Sequence, residues 1–138
     1  NFWPEHLEPL LKTAKIKPVI NQIEFHPGYW QPEVTNYCKE HDILVEAWSP
    51  LARGKVFEND EIKAIAKKHQ KSVAQICLRW ILEHEVVVIP KSSTPERIED
   101  NFNVFDFQLS AEEIKTIDSL PQMGFSGELP NHWPDKVN

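Results

Sequence analysis

"VVVIPKSSTPERIEDN", residues 86–101, decides the fold. Its first four residues are all β-branched. Such a continuous run suits a strand buried on both faces, as in a parallel sheet. Thr94 is a favoured N-cap and Pro95 a favoured first helical residue, so a helix follows over 95–103. In parallel α/β folds, function collects where a strand's C-terminal end meets the next helix. There the chain places Lys91, Ser92, Ser93 and Arg97. A helix N-terminus offers free N–H groups and partial positive charge. The two cations add formal charge, and arginine can grip a phosphate with two parallel hydrogen bonds. The pattern suggests an anion site; a capped helix with solvated surface charges competes with it.

Working outward, the pattern repeats. Strands are expected near 19–25 ("VINQIEF"), 43–48 (within "ILVEAWSP") and 86–90. Helices are expected over 4–14, 31–42, 59–70 (capped by Asn59 or Asp60), 72–85 (capped by Ser72) and 110–120. In the last, Ser110 and Glu113 have capping-box spacing. "LARGKVF" (51–57) reads as a loop, and residues 121–138 as an irregular tail. Asn21, Gln22 and Glu24 are odd company for a buried strand. The chain has eleven prolines against four glycines; Pro18, Pro27, Pro32, Pro50, Pro90 and Pro95 fall at element junctions and act as stops and starts. Strands alternating with helices, with no hairpin signal, imply an α/β fold of parallel strands joined by crossover helices. Three strands alone leave two sheet edges open.

Composition narrows the function. The chain has 138 residues, 41% hydrophobic, enough for one domain with a core. A net charge of −6 argues against nonspecific nucleic-acid binding. No apolar run approaches the ~20 residues of a membrane span. "NFWPEHLEP" lacks the basic and apolar regions of a signal peptide. Cys38 and Cys77 stand apart and outside any CxxC pattern, as buried, reduced thiols of a cytoplasmic protein would.

The other two strand ends also carry functional groups. "AWSPL" offers Trp48, whose ring could stack on a planar ligand, then Ser49; a rim or core tryptophan is the plainer alternative. "NQIEFHP" offers Gln22, whose amide could pair with a carboxamide, and His26. A lone histidine without a neighbouring ligand set is usually structural.

These residues carry a resemblance. "NQIEFHPGYWQPEV", "YCKEHDILVEAWSPL", "KSVAQICLRWILEHEVVVIPKSSTPERIEDNFNVFDFQLS" and "EIKTIDSL" resemble, in order, the aldo-keto reductases. The similarity runs from Asn1 to about Leu120. "AWSPL" and the short "ARGKVFENDEI" loop are similar to the branch that reduces diketogluconate and methylglyoxal-type aldehydes. The resemblance implies the last three β/α units of a (β/α)8 TIM-type barrel and NADPH as cofactor. It implies that Lys91, Ser92 and Arg97 hold the adenosine 2′-phosphate and that Asp100 and Asn101 reach the adenine. Asp100 stands where the family usually has glutamate. Trp48 would stack on the nicotinamide, Asn1 and Gln22 hold its carboxamide, and Ser49 and Leu51 lie along the pyrophosphate. The family's catalytic Asp, Tyr, Lys and His have no counterpart here; Tyr29, Tyr37 and His26 do not occupy their motifs.

The expectation is therefore the cofactor-binding part of an NADPH-dependent reductase of small aldehydes or ketones, its acid–base residues lying outside the chain. The alternatives are a half-barrel that binds nucleotide without chemistry and an inactive fragment. Either would self-associate through open strand edges or pair with a missing N-terminal half. Trp30 and Trp133 are candidate walls of a substrate pocket; surface packing is the plainer alternative.

Overall fold

The computed structural model describes residues 1–124. Its elements, in chain order, are α1 (Pro4–Thr13), β1 (Ile20–Glu24), α2 (Pro32–Glu40), β2 (Leu44–Trp48), a 3-10 segment (Ala52–Glu58), α3 (Asp60–His69), α4 (Val73–Glu83), β3 (Val87–Val88), α5 (Pro95–Phe102) and α6 (Ala111–Asp118). The three strands form one parallel sheet in the order β1-β2-β3. Ile20 pairs with Leu44, Glu24 with Trp48, and Glu46 with Val87.

The caps explain the helix starts. Asn59, not Asp60, caps α3, accepting from the Ile62 N–H at 2.9 Å. Ser72 and Ser110 form reciprocal capping boxes with Gln75 and Glu113, each satisfying two otherwise orphaned backbone donors. The expected loop at 51–57 is mostly 3-10 helix. Arg53 (φ 52°) and Gly54 (φ 96°) interrupt it in left-handed conformation.

The core lies between the helices and one face of the sheet. Ile23, Phe25, Val45 and Ala47 join Ile76, Trp80 and Ile81 of α4 in one buried cluster, and Phe25 lies against Trp80 with ring centroids 5.3 Å apart. The opposite face of the sheet is open. Ile20, Leu44, Val87 and Ile89 are exposed, so the expectation of a third strand buried on both faces fails. Val86 is buried while Val87 is 39% exposed. The alternation has period two, and one of its faces has no covering element among the described residues.

The polar residues of β1 have separate explanations. The Asn21 amide donates to the Phe2 carbonyl at 2.8 Å, and its oxygen accepts from the Phe2 N–H at 3.2 Å. This two-way clamp ties residues 1–3 to the sheet. Gln22 lies on the open face. Glu24 and His26 are fully buried together, with His26 Nε2 3.3 Å from Glu24 Oε1. Cys38 and Cys77 are free and buried. Burial pushes both thiols above their ordinary pKa, which disfavours the reactive thiolate. Among the described residues no helix is long and apolar enough to cross a membrane.

Candidate functional site

β3 delivers the chain to the site. The Ile89 N–H still donates to the Ala47 carbonyl at 3.4 Å; Pro90 then removes a donor and ends the ladder. Thr94 takes the N-cap position with extended backbone, but its side chain makes no cap bond. Ser92 acts instead. Its hydroxyl oxygen accepts from the Thr94 N–H at 3.2 Å and shapes the turn. The first turn of α5 thus has no capping side chain, and Pro95 contributes no donor. An anion there would meet the helix's positive end directly.

A cleft of about 500 Å³ opens at this turn. It gathers Leu51, Lys91, Ser92, Ser93, Thr94, Arg97, Asp100 and Asn101, all named from the sequence. Lys91 and Arg97 are exposed. Among the described residues neither is ion-paired, which is also true of Lys15, Arg53, Lys55, Lys67 and Lys115; what sets Lys91 and Arg97 apart is that both line this cleft. Two unpaired cations beside an uncapped helix start fit a phosphate-bearing ligand.

The remaining site residues form a second group. The Trp48 indole N–H donates to the Asn1 side-chain oxygen at 2.8 Å, and the Asn1 backbone nitrogen donates to the Gln22 carbonyl at 2.6 Å. The Gln22 amide donates to Glu46 Oε1 at 2.5 Å across β1 and β2. Asn1, Gln22 and Trp48 therefore sit together at the edge of the open sheet face. The chain from Trp48 to Leu51 links this group to the cleft. Ser49 turns it in left-handed conformation (φ 52°), and the Ser49 carbonyl accepts from the Ala52 N–H at 2.9 Å.

The sequence reading missed Phe57, Ser72 and Ala74, which also line the cleft. Ser72 registered only as a cap, and Phe57 lay in a presumed loop. Trp30 is half-buried, its ring 5.1 Å from His84, and lines a separate cavity of about 530 Å³ that shares no residue with the cleft. Trp133 lies outside the described residues. No metal-binding group of His, Cys, Asp and Glu occurs among them. His26 is enclosed, its Nδ1 2.8 Å from the Pro27 carbonyl.

Comparison with known proteins places these features in context. The model described as "Aldo/keto reductase family" matches residues 1–122. Glyoxal reductase of Bacillus subtilis is 53% identical over 120 residues, covering 87% of this chain and 44% of that protein. The 9,11-endoperoxide prostaglandin H2 reductase of Trypanosoma cruzi is 44% identical over 138 residues, covering 97% and 49%. Among solved structures, a Gox0644 mutant in complex with NADPH superposes with a TM-score of 0.91 at 38% identity, covering 96% of this chain and 49% of that one. The chain spans about half the length of the curated relatives it matches. Its parallel sheet and helices form part of the barrel seen in such structures.

Proposed function

The chain belongs to the aldo/keto reductase family, and from that premise we propose that it is the NADPH-binding part of a cytoplasmic reductase of small aldehydes or ketones. The observation that carries this reading is the single cleft holding Lys91, Ser92, Arg97, Asp100 and Asn101, with both cations unpaired among the described residues. When bound, NADPH supplies a hydride to a carbonyl carbon. Lys91 and Arg97 bind the adenosine 2′-phosphate with Ser92 beside them, and Asp100 and Asn101 face the adenine. Ser49 and Leu51 border the pyrophosphate. Trp48 offers a ring face to the nicotinamide, and Asn1 and Gln22 fix its carboxamide. Protonation of the carbonyl oxygen falls to residues outside this chain. Two buried free thiols suit a reducing compartment.

The test is a titration of the chain with NADPH and NADH, followed by calorimetry, alongside Lys91→Ala and Arg97→Ala. Removing either cation should weaken NADPH by about tenfold or more and leave NADH nearly unchanged. Equal affinity for the two nucleotides in the parent chain would refute the 2′-phosphate assignment.

A second reading has its own support. Exposed Ile20, Leu44, Val87 and Ile89 and the open edges of β1 and β3 suit association of two copies, or docking of a missing half, without catalysis. Sedimentation tests self-association: a monomer at every concentration excludes the two-copy form.

A further inference from the structure

Helix α5 carries Arg97, Asp100 and Asn101, yet none of its own residues is buried. Ile98 and Phe102 are 55% and 74% exposed. Apolar burial among the described residues therefore does not fix where this helix lies. Polar contacts from α4 do so. Lys71, Gln75 and Arg79 recur every four residues and so share one side of the helix and its approach. The Lys71 ammonium donates to the Asn103 carbonyl at 3.4 Å and to the Asp106 carboxylate at 2.7 Å. The Gln75 amide donates to the Asp100 carbonyl at 3.2 Å and the Asn103 carbonyl at 3.1 Å. Arg79 donates to the Val104 carbonyl at 3.2 Å. The Asp100 carbonyl also accepts from the Asn103 N–H at 3.1 Å; the Asn103 and Val104 carbonyls, just beyond the helix end, take these side-chain donors from the ladder.

Gln75 is the buried member of the three, 7% exposed. Its other end, Oε1, accepts from the Ser72 N–H at 2.9 Å. Ser72 and Ala74 line one side of the cleft; Asp100 and Asn101 line the other. One side chain thus joins both walls. We propose that Gln75 is a positioning residue for the nucleotide: it sets the separation of α5 from the start of α4, and so holds Arg97 where it shares a phosphate with Lys91. The inference rests on the nucleotide reading above.

Gln75→Glu tests it. A glutamate keeps the acceptor for the Ser72 N–H, as Glu113 does for Ser110 in α6. It removes both donations and turns a carboxylate toward two carbonyls. Gln75→Met, which removes the donor without adding charge, serves where the glutamate prevents folding. Ser110→Ala, which breaks a capping box away from the cleft, controls for general destabilisation. NADPH affinity of the 138-residue chain should fall about tenfold in the Gln75 variant, with a narrowed preference over NADH, and stay at the parent value in Ser110→Ala. Unchanged affinity in the Gln75 variant, or an equal loss in the control, overturns the proposal. If the parent chain binds no NADPH, the nucleotide reading has failed, and hydrogen exchange of the ligand-free chain still judges the clamp. Faster exchange confined to residues 95–104 supports it; no change there, or equal change in 111–118, overturns it.

Discussion

The indole N–H of Trp48 donates to the side-chain oxygen of Asn1 at 2.8 Å. That bond joins the end of β2 to the segment clamped on β1 by Asn21, and it fixes the indole through its nitrogen while leaving the ring half-exposed. Trp48→Ala should weaken NADPH by about tenfold, the loss of one stacked ring and its anchor. Adenosine 2′,5′-bisphosphate has no nicotinamide, and its affinity should not change. Calorimetry with both ligands checks this. Equal losses for the two would mean that Trp48 supports the cleft rather than the nicotinamide end.

Glu24 and His26 form a pair that the sequence alone presented as a lone histidine. Both side chains are fully buried, 3.3 Å apart, and Glu24 lies opposite Trp48 in the strand register. Removing one member of a buried pair leaves the other poorly compensated. His26→Ala should therefore lower stability by about 3 kcal/mol or more in urea unfolding. A loss under about 1 kcal/mol would show that the contact adds little net stability beyond the cost of burying both groups.

What was legible follows the range of the signal. Caps and periodicity act within one helical turn, so Ser72, Ser110 and the positions of β1, β2 and α4 could be read from the chain. Lys91, Ser92 and Arg97 of the cleft were also legible, because they cluster around one βα junction, whereas Phe57, Ser72 and Ala74 reach it from other elements. Partnership across elements was not. The β-branched run at 86–89 looked buried on both faces, yet what covers a strand is decided by elements distant in sequence, and Val87 and Ile89 have no cover among the described residues. Thr94 had the composition of a cap, but Ser92 reaches the Thr94 N–H. Lys71, Gln75 and Arg79 are spaced four residues apart, a polar line beside the apolar face of α4. Only the fold shows that it meets the carbonyls of 100–104.

Gly28 lies where Pro121 to Met123 cross the chain after β1. The Met123 N–H donates to the Gly28 carbonyl at 3.0 Å. A Cβ on Gly28 would stand 2.8 Å from Met123 Cγ and 3.0 Å from the Pro121 carbonyl oxygen, at a φ of +81° that side chains disfavour. Gly28→Ala should cost about 1–3 kcal/mol through strain and crowding together. Met123→Ala relieves the nearest contact and should recover part of that loss in the double variant. An additive double-mutant cycle would show that the Met123 contact contributes nothing, leaving the backbone conformation and the Pro121 carbonyl as the cause.

Glu113 sets an acid limit on stability. Burial by itself would raise its pKa. Hydrogen bonds from Lys68, the Ser110 N–H and His69 outweigh that and hold it down to about 2. A carboxylate lowered on folding stabilises the protein above its unfolded pKa, near 4.5, and loses that contribution as pH falls through its folded value. The loss therefore runs between about pH 4.5 and pH 2. The lowered pKa is worth on the order of 2 kcal/mol, allowing for solvent screening of the exposed Lys68 head. Glu113→Gln should lower Tm at pH 7 and reduce the dependence of Tm on pH across that acid window. His69 faces the same carboxylate at 3.0 Å, so His69→Ala should give a smaller change of the same sign. A glutamine variant whose acid limb parallels that of the parent would show that other carboxylates control acid unfolding.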